Sequence, residues 1–426
     1  MKAKNNHWGV FLSDNANKKL FTEELLEGKA SGKLAKFNIL KGQLFSDHLI
    51  NKIIEAEYRH ERIEVEKENN RSFRSLSGGE QRKSLLNYCL SQKADYLILD
   101  NPLDNLDSAS QQSFRILLKD IANHTTIIQL INRKSDLLDF IYNLIRIDDD
   151  NTITYYDEGK SFLNRTVTPV ILTSAIPPPL SNYDISAKNL VSFNSISVRY
   201  DNKTILKDIC WQINSGEFWQ LNGPNGSGKT TLLSLIIGDN PQGYGQDLVL
   251  FGRKKGSGES IWDIKEKVGY FTPSMTDLFN KYHTLENMII SGFMDSIGLY
   301  IQPSDLQIKL AREWLSLIKL LQLKDKSFGE LSLGQQRIAL IARAMIKHPP
   351  LLILDEPASG MDDHNSFLVT SLINKIAAES KIAILYVSHR KEEGLKSDMT
   401  FELTPTPIGS IGSIDKTSNF TEQNKK

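Results

Sequence analysis

Residues 223–230 read GPNGSGKT, and their types are those of a phosphate-binding loop. Glycines at these spacings allow the backbone to wrap an anion, and the N–H groups of the helix predicted to follow point towards it. Lys229 would bring a positive charge to the terminal phosphates of a nucleotide, and the Thr230 hydroxyl suits Mg²⁺. The residues that we expect to contact phosphate are Gly223, Asn225, Gly226, Ser227, Gly228, Lys229, Thr230 and Thr231.

Three polar residues lie at the ends of two predicted strands. Asp355 ends the apolar run LLILD, Glu356 follows it, and His389 follows the run ILYVS. Because parallel strands end at the same edge of a sheet, we expect these side chains to lie near the phosphate loop. Asp355 would hold Mg²⁺, Glu356 would polarise a water for attack on the terminal phosphate, and His389 would reach the same phosphate. A lone histidine is more often structural, and its place at the end of this strand favours the functional interpretation.

Tyr200, 23 positions before Gly223, is a candidate for stacking on a nucleotide base. The flat apolar face of an aromatic ring at this place suits an adenine. The alternative, a tyrosine at a strand edge that binds nothing, stays open on the residues alone.

Part of this pattern occurs twice in the chain. Residues 76–107 read LSGGEQRKSLLNYCLSQKADYLILDNPLDNLD, and residues 331–362 read LSLGQQRIALIARAMIKHPPLLILDEPASGMD. In each copy the first leucine lies 24 positions before the aspartate that ends the strand, and another aspartate follows 7 positions later. A gapless match of this length indicates a duplicated unit. Each copy alternates helix-like and apolar strand-like segments, which predicts an α/β fold with a buried parallel sheet.

Length and composition limit the class of protein. The 426 residues predict two or three domains, and 51 basic against 51 acidic residues leave no overall charge that would favour nucleic-acid binding. No apolar run is long enough to span a bilayer, and the N-terminus lacks the apolar core of a signal peptide. Cys89 and Cys210 belong to no CxxC pair, and their apolar neighbours predict buried free thiols in an intracellular chain.

The motifs GPNGSGKT, LSLGQQ, LLILDEP, GMD and SHR, in this order and spacing, resemble an ATP-binding cassette (ABC) ATPase. The resemblance covers residue 189 to about residue 403 and, more weakly, the first half. It implies two P-loop NTPase cassettes of the RecA-like ABC type in one chain, the first truncated, with ATP and Mg²⁺ as ligands. It also implies that ATP lies between the phosphate loop of one cassette and the LSGGQ signature of the other. The segments GFMDSIGLY and GQQRIALIARAMIKHPPLLILDEP, with the Asn-Arg pair at 132–133, are similar to tandem-cassette proteins of the molybdenum-transport and photorepair type.

The first half departs from this pattern where the chemistry would occur. Of the loop residues only Lys18 aligns with an identical residue, and we expect Asn15 and Asn17 to keep a loop with positive φ that binds no phosphate. This half is also shorter: Leu12 and Leu76 are 64 positions apart, whereas Gly223 and Leu331 are 108 positions apart. The difference of 44 positions predicts that the β and helical subdomains of the first half are reduced. The aligned pairs are Leu12 with Gly223, Asn15 with Gly226, Asn17 with Gly228, Lys19 with Thr230, Asn101 with Glu356 and Asn132 with His389.

In the signature motif it is the second cassette that departs from the family pattern. The first cassette keeps Ser77, Gly78 and Gly79, whereas the second has Leu333 where the first has Gly78. If the cassettes pair head to tail, the complete phosphate loop faces the complete signature. The hypothesis is one active composite site, in which Ser77, Gly78 and Gly79 close on a nucleotide held by the second cassette.

We expect four segments: a degenerate cassette at 1–160, a proline-containing linker at 161–188, a complete cassette at 189–405 and a polar tail at 406–426. The expected location is cytoplasmic or peripheral on the inner face of the plasma membrane. The expected partners are ATP, the other cassette of the same chain and either a membrane permease or a soluble protein.

Several functions stay open. A conformational ATPase in transport is one, and a regulatory switch with low turnover is another. Pro273 stands where the family usually has a glutamine that contacts Mg²⁺ and couples to a permease, which weakens the case for a conventional importer subunit. Translation-factor cassette pairs have two intact cassettes and a charged linker, and tandem sugar importers keep the first cassette's catalytic residues, so neither fits this chain well.

Overall fold

A computed structural model describes residues 7–13, 16–59, 72–156, 172–181, 183, 188–201, 203–279, 282–390 and 392–416. The chain forms two compact units, which we treat separately. Unit 1 contains Met1–Thr168 together with Ser359–His364, and unit 2 contains Pro169–Ala358 and Asn365–Lys426.

Unit 1 is built on a six-stranded sheet with the strand order β2-β3-β4-β1-β5-β6. Its strands pair in parallel except for the last pair, β5 with β6, which is antiparallel. The apolar run that ends in Asp100 forms β3, a buried strand at an interior position of the sheet. The strands are β1 (Trp8–Leu12), β2 (Gly42–Phe45), β3 (Tyr96–Asp100), β4 (Thr126–Ile131), β5 (Asn143–Ile147) and β6 (Ile153–Tyr156).

Both faces of this sheet are buried, because successive side chains of a strand point to opposite faces. On β3, Leu97 and Leu99 pack in one apolar cluster, whereas Tyr96 and Ile98 pack in another. The two clusters explain why the strand is apolar at four successive positions before Asp100 rather than at alternate ones. The described α-helices of unit 1 are α1 (Lys18–Leu26), α2 (Asp47–Tyr58), α3 (Gly78–Ser91) and α4 (Ser108–Ile121).

Unit 2 repeats this topology. Its six-stranded sheet has the order β12-β13-β14-β9-β15-β16, which matches unit 1 position by position, again with a final antiparallel pair. The duplicated sequence therefore corresponds to a duplicated fold. The strands are β9 (Phe218–Asn222), β12 (Val268–Phe271), β13 (Leu351–Asp355), β14 (Ala383–Val387), β15 (Met399–Thr404) and β16 (Ile411–Lys416).

A second sheet distinguishes unit 2. Four strands in the order β11-β10-β7-β8 form an antiparallel sheet, and its core is continuous with that of the larger sheet through Trp211, which packs on Trp219 and Phe401. The described part of unit 1 has no such sheet, so the truncation expected from the shorter first half is confirmed for the β subdomain. The strands are β7 (Asn189–Tyr200), β8 (Lys203–Asn214), β10 (Leu248–Leu250) and β11 (Arg253–Lys254).

The helices of unit 2 include a group of four between β12 and β13, whereas the described residues of unit 1 form two α-helices between β2 and β3. In this group the helix Asp305–Leu317 packs its buried residues, which include Trp314, against neighbouring helices. The helices are α5 (Lys229–Ile236), α6 (Ile261–Lys265), α7 (Met275–Leu278), α8 (Leu285–Ile290), α9 (Asp305–Leu317), α10 (Leu333–Met345) and α11 (Asp363–Glu379).

Two features differ from the expectations. Strand β16 lies within the stretch assigned to a polar tail and completes the sheet of unit 2 by pairing with β15. Cys89 is buried as expected, but Cys210 is exposed, because β8 alternates and turns Ile209 and Trp211 inward. Across the described residues, no helix has both the length and the apolar composition that crossing a bilayer requires.

Candidate functional site

The phosphate loop of unit 2 joins the end of β9 to the start of α5 and has a backbone that only glycine adopts easily. Gly226 and Gly228 have φ of +77° and +96°. A side chain at Gly228 would lie 2.8 Å from Leu206 Cδ2, so both conformation and packing require glycine there. A Cβ at Gly226 would meet nothing within 4 Å, so the loop is open on that side. This is the shape expected of an anion cradle at a helix N-terminus.

The polar side chains of the loop are arranged to receive a ligand. Lys229 Nζ donates to the carbonyl oxygens of Gly223 at 2.6 Å and Pro224 at 3.1 Å, so its charge lies over the loop. Thr230 and Asn225 are exposed at its rim. Ser227 is fully buried, and its hydroxyl has no hydrogen-bond partner among the described residues. An unsatisfied buried hydroxyl under an open cradle fits a phosphate ligand.

Asp355, Glu356 and His389 meet at the carboxyl edge of the sheet. Strands β13 and β14 pair in parallel with Asp355 opposite Val387, which sets the next residues side by side. Glu356 N donates to the Val387 carbonyl at 2.9 Å, and Glu356 Oε1 lies 2.6 Å from His389 Nδ1. A hydrogen bond to an ionised carboxylate requires that Nδ1 carries the proton. Glu356 and His389, which the sequence analysis identified as separate candidates, are therefore in direct contact.

The charge of Asp355 is poorly compensated within the chain. Burial and then the Glu356 carboxylate raise the pKa of Asp355 to about 6, against the lowering influence of Lys229. Mg²⁺ is commonly held by one or two carboxylates together with substrate phosphates, so a buried carboxylate beside a phosphate loop is a fitting ligand. Thr230 and Asp355 are the residues that would hold this ion, which would neutralise charge on the phosphates.

Tyr200 ends β7 with 44% of its surface exposed, so an aromatic face is open to a base. Its hydroxyl accepts a hydrogen bond from Asn240 Nδ2 at 2.8 Å. Asn240 belongs to no recognisable motif, and only the three-dimensional structure relates it to Tyr200.

In unit 1 the lysine of the corresponding loop pairs with the aspartate that ends β3. Lys18 Nζ lies 3.0 Å and 2.9 Å from the two carboxylate oxygens of Asp100, the counterpart of Asp355. Asn17 caps α1 by accepting from Leu20 N at 3.0 Å. Asn17 has φ −78°, so the positive φ expected there is wrong, because the side chain acts as a helix cap. Asn15 lies outside the described residues.

The backbone around the lost catalytic positions of unit 1 is nevertheless conserved in shape. Asn101 has φ +43° and donates its N–H to the Leu130 carbonyl at 3.0 Å, as Glu356, with φ +48°, does to Val387. Asn132 Nδ2 donates to the carbonyl of Gly360, which belongs to the same compact unit, at 3.1 Å. The turns have therefore kept their geometry while carboxylate and imidazole have been replaced by amides.

The two signatures adopt the same helix-capping structure. Ser77 and Ser332 are the N-caps of α3 and α10, each in a capping box, with Glu80 and Gln335 respectively. A Cβ at Gly78 would meet nothing within 4 Å, so the packing of unit 1 does not explain the glycine. At the matching position, Leu333 is 40% exposed and projects from the start of α10. The open space above Gly78 is thus available for a ligand, whereas Leu333 fills the equivalent space.

The position of Pro273 is occupied in unit 1 by an acidic residue. Strand registers place Gly42 and Val268 at equivalent points, so Asp47 corresponds to Pro273. Asp47 Oδ1 forms an ion pair of 2.7 Å with the buried guanidinium of Arg82. Neither residue can supply the amide that the family usually has there.

Comparisons with known proteins agree with this site. The family described as ABC transporter matches residues 206–359, which include the phosphate loop and the carboxylates. The ABC transporter ATP-binding protein ModF of Escherichia coli (strain K12) is 38% identical over 353 residues, covering 80% of this chain and 72% of that protein. An uncharacterized ABC transporter ATP-binding protein of Schizosaccharomyces pombe is 30% identical over 328 residues, covering 76% of this chain and 66% of that protein.

Solved structures share the fold over nearly the whole chain. The archaeal ribosome recycling factor aABCE1, solved with the ribosomal stalk protein aP1, matches with a TM-score of 0.63. The match has 15% sequence identity and covers 96% of this chain and 85% of that one. At this identity the likeness concerns the fold.

Proposed function

Because the chain belongs to the family of ABC transporter ATP-binding proteins, we propose that its ATPase activity comes from one composite site. In this site unit 2 supplies the phosphate loop and the catalytic residues, and unit 1 supplies the signature. A complementary pattern carries the proposal. The loop of unit 2 is open and Gly78 faces open space, whereas Lys18 of unit 1 is paired with Asp100 and Leu333 projects from the signature of unit 2.

Each candidate site residue of unit 2 has a stated role in this proposal. Lys229 and the N–H groups at the start of α5 bind the β- and γ-phosphates, and Thr230 and Asp355 hold Mg²⁺. Glu356 polarises the attacking water, and His389 orients the Glu356 carboxylate through the 2.6 Å contact and lies beside the γ-phosphate. Tyr200 stacks on adenine. From unit 1, Ser77 and the N–H groups of Gly78 and Gly79 close over the γ-phosphate.

Head-to-tail pairing of cassettes, which the family resemblance implies, would bring these groups together. The partner that the ATPase drives is either a membrane permease or a soluble protein. A regulatory switch with low turnover is the second candidate, and Pro273 in place of a glutamine favours it. Complete Asp355, Glu356 and His389 favour hydrolysis, and the steady-state ATPase rate of the wild type separates the two.

The test is a pair of matched serine substitutions. Ser77→Ala and Ser332→Ala each remove one N-cap and should each cost about 1 kcal/mol of stability. We expect Ser77→Ala to lower the ATPase rate as steeply as Glu356→Gln, by about 100-fold or more, and Ser332→Ala to leave the rate close to wild type. Equal effects of the two serine substitutions would contradict the composite site.

The partner is tested with the hydrolysis-deficient chain. Glu356→Gln in the presence of ATP should hold the ATP-bound state long enough for affinity capture. Recovery of a membrane permease would support transport, and recovery of soluble proteins alone would contradict it.

A further inference from the structure

A chain of hydrogen bonds connects Tyr200 to the helix that follows the phosphate loop. Asn240 Nδ2 donates to the Tyr200 hydroxyl at 2.8 Å and to Ser234 Oγ at 3.0 Å. Ser234 Oγ in turn donates to the Thr231 carbonyl at 2.7 Å, within the first turn of α5. The strand that ends at Tyr200 and the helix that begins at Lys229 are therefore linked by side chains.

The orientation of the Asn240 amide is determined by its surroundings. Its Oδ1 accepts from the Gln242 N–H at 3.0 Å, and a backbone N–H can only donate. The amide nitrogen must therefore face Tyr200 and Ser234, and each of its two protons has an acceptor. Asn240 is 3% exposed and its own N–H donates to the Ser234 carbonyl at 3.0 Å, so the amide is held on every side.

Tyr200 has much weaker support of its own. It ends β7 and is 44% exposed, so without a bond to its hydroxyl the ring could leave the orientation that stacking needs. A rigid aromatic ring at a set distance from the phosphate loop would select a ligand in which a flat base lies at a set distance from a phosphate chain.

We propose that Asn240 is a positioning residue for the nucleobase: it holds the Tyr200 ring in register with the phosphate loop and so contributes to binding of the base. This inference rests on the proposed stacking of adenine on Tyr200. It assigns a role in recognition of the base, and none in binding the phosphates or in the hydrolytic step.

The experiment compares Asn240→Ala, Tyr200→Phe and the double variant of these two by titration calorimetry with ATP and with inorganic tripolyphosphate. Tyr200→Ala, measured in the same way, tests the premise that the ring stacks on adenine. Loss of one hydrogen bond should raise the Kd for ATP about 2- to 12-fold in each single variant. The double variant should be no weaker than the singles, because both remove the same bond. Affinity for tripolyphosphate should stay at the wild-type value, because the variants leave the phosphate loop intact.

Asn374→Ala is the matched control. Asn374 Nδ2 donates to the Gly394 carbonyl at 2.8 Å, and its Oδ1 accepts from Lys396 N at 3.0 Å, away from the loop. This substitution should leave the Kd for ATP unchanged. Tyr200→Phe removes only the hydroxyl that accepts from Asn240, so it carries the test if Asn240→Ala does not fold.

The outcomes separate the inference from its premise. Wild-type affinity for ATP in both single variants overturns the positioning role, and so does an equal loss of affinity for ATP and tripolyphosphate. If Tyr200→Ala binds ATP as the wild type does, adenine stacking itself is refuted. If Tyr200→Ala binds weakly while Asn240→Ala and Tyr200→Phe bind normally, stacking stands and only the inference fails.

Discussion

Asp355 and Asp100 end equivalent strands, but their carboxylates face different neighbours. Asp100 pairs directly with Lys18, whereas Lys229 bonds to carbonyl oxygens of its own loop and leaves Asp355 beside Glu356. A single lysine position thus has two uses: in unit 1 it neutralises the aspartate, and in unit 2 its charge lies over an open anion cradle. The buried carboxylate of unit 2 is kept at the expense of stability.

We predict that Asp355→Asn stabilises the ligand-free protein. The pKa of Asp355 is raised to about 6 in the folded state, so its proton is bound more tightly there than in the unfolded chain. The resulting destabilisation is absent at pH values below the unfolded pKa of 3.8, grows between 3.8 and about 6, and is constant above. At pH 7.5 the free energy of unfolding should rise by about 1 to 3 kcal/mol, and at pH 5 by roughly half as much.

Urea unfolding without nucleotide or Mg²⁺ measures this effect. Asp100→Asn serves as the control of opposite sign, because it removes the ion pair with half-exposed Lys18 and should lower stability by about 0.5 to 1 kcal/mol. A loss of stability in Asp355→Asn at pH 7.5 would be incompatible with the raised pKa.

At the scale of elements, the start of the signature helix shows how one fold permits two functions. Helices α3 and α10 begin with the same serine cap, although one has glycine and the other leucine directly after it. Both residues are compatible with the helix, so the difference matters only to what approaches the helix from outside.

Gly78→Leu should therefore preserve the fold and abolish most of the ATPase activity. A Cβ at this position meets no atom within 4 Å in unit 1, and Leu333 shows that leucine is accepted at the matching helical position. We expect an unchanged melting temperature, with an ATPase rate at least about 10-fold lower, because the side chain would enter the space proposed for the γ-phosphate. The reciprocal Leu333→Gly is the control and should not raise the rate, and full activity in Gly78→Leu would refute closure by this signature.

Sequence patterns predicted the elements well where periodicity or a motif was strong. The apolar runs before Asp100 and Asp355 are strands, and GPNGSGKT joins a strand to a helix as expected. The exposure of Cys210, strand β16 and the Lys18–Asp100 pair depend on strand alternation, on pairing and on contacts between distant positions, none of which has a local signal. Asn240 was not predicted for the same reason, because its hydrogen bond joins it to Tyr200, which lies 40 positions away in the sequence.

At the scale of the whole molecule, one chain carries two versions of a single topology that differ in whether the phosphate loop is open. The sheets have matching strand orders, and the turns at Asn101 and Glu356 have matching φ. Divergence has therefore acted on side chains and on the added β sheet of unit 2 more than on the central sheets.

This asymmetry predicts one tightly bound nucleotide per chain. Equilibrium dialysis with ATP and the Glu356→Gln chain should saturate at one mole per mole, because Lys18 is paired with Asp100 and the loop of unit 1 lacks the glycines of GPNGSGKT. Lys229→Met should reduce tight binding to near zero, whereas Lys18→Met should leave the stoichiometry unchanged. Saturation at two moles, falling to one in Lys18→Met, would show that unit 1 is a functional nucleotide site.

The left-handed turn at Asn101 has a consequence for protein engineering. Residues other than glycine rarely adopt a φ near +43°, and asparagine is among those that tolerate it best. The backbone turn of Glu356 thus persists in unit 1 without the carboxylate. To install a second reaction centre in unit 1, a designer could keep the existing turn at Asn101. Only the side chains and the loop around it would need to be rebuilt.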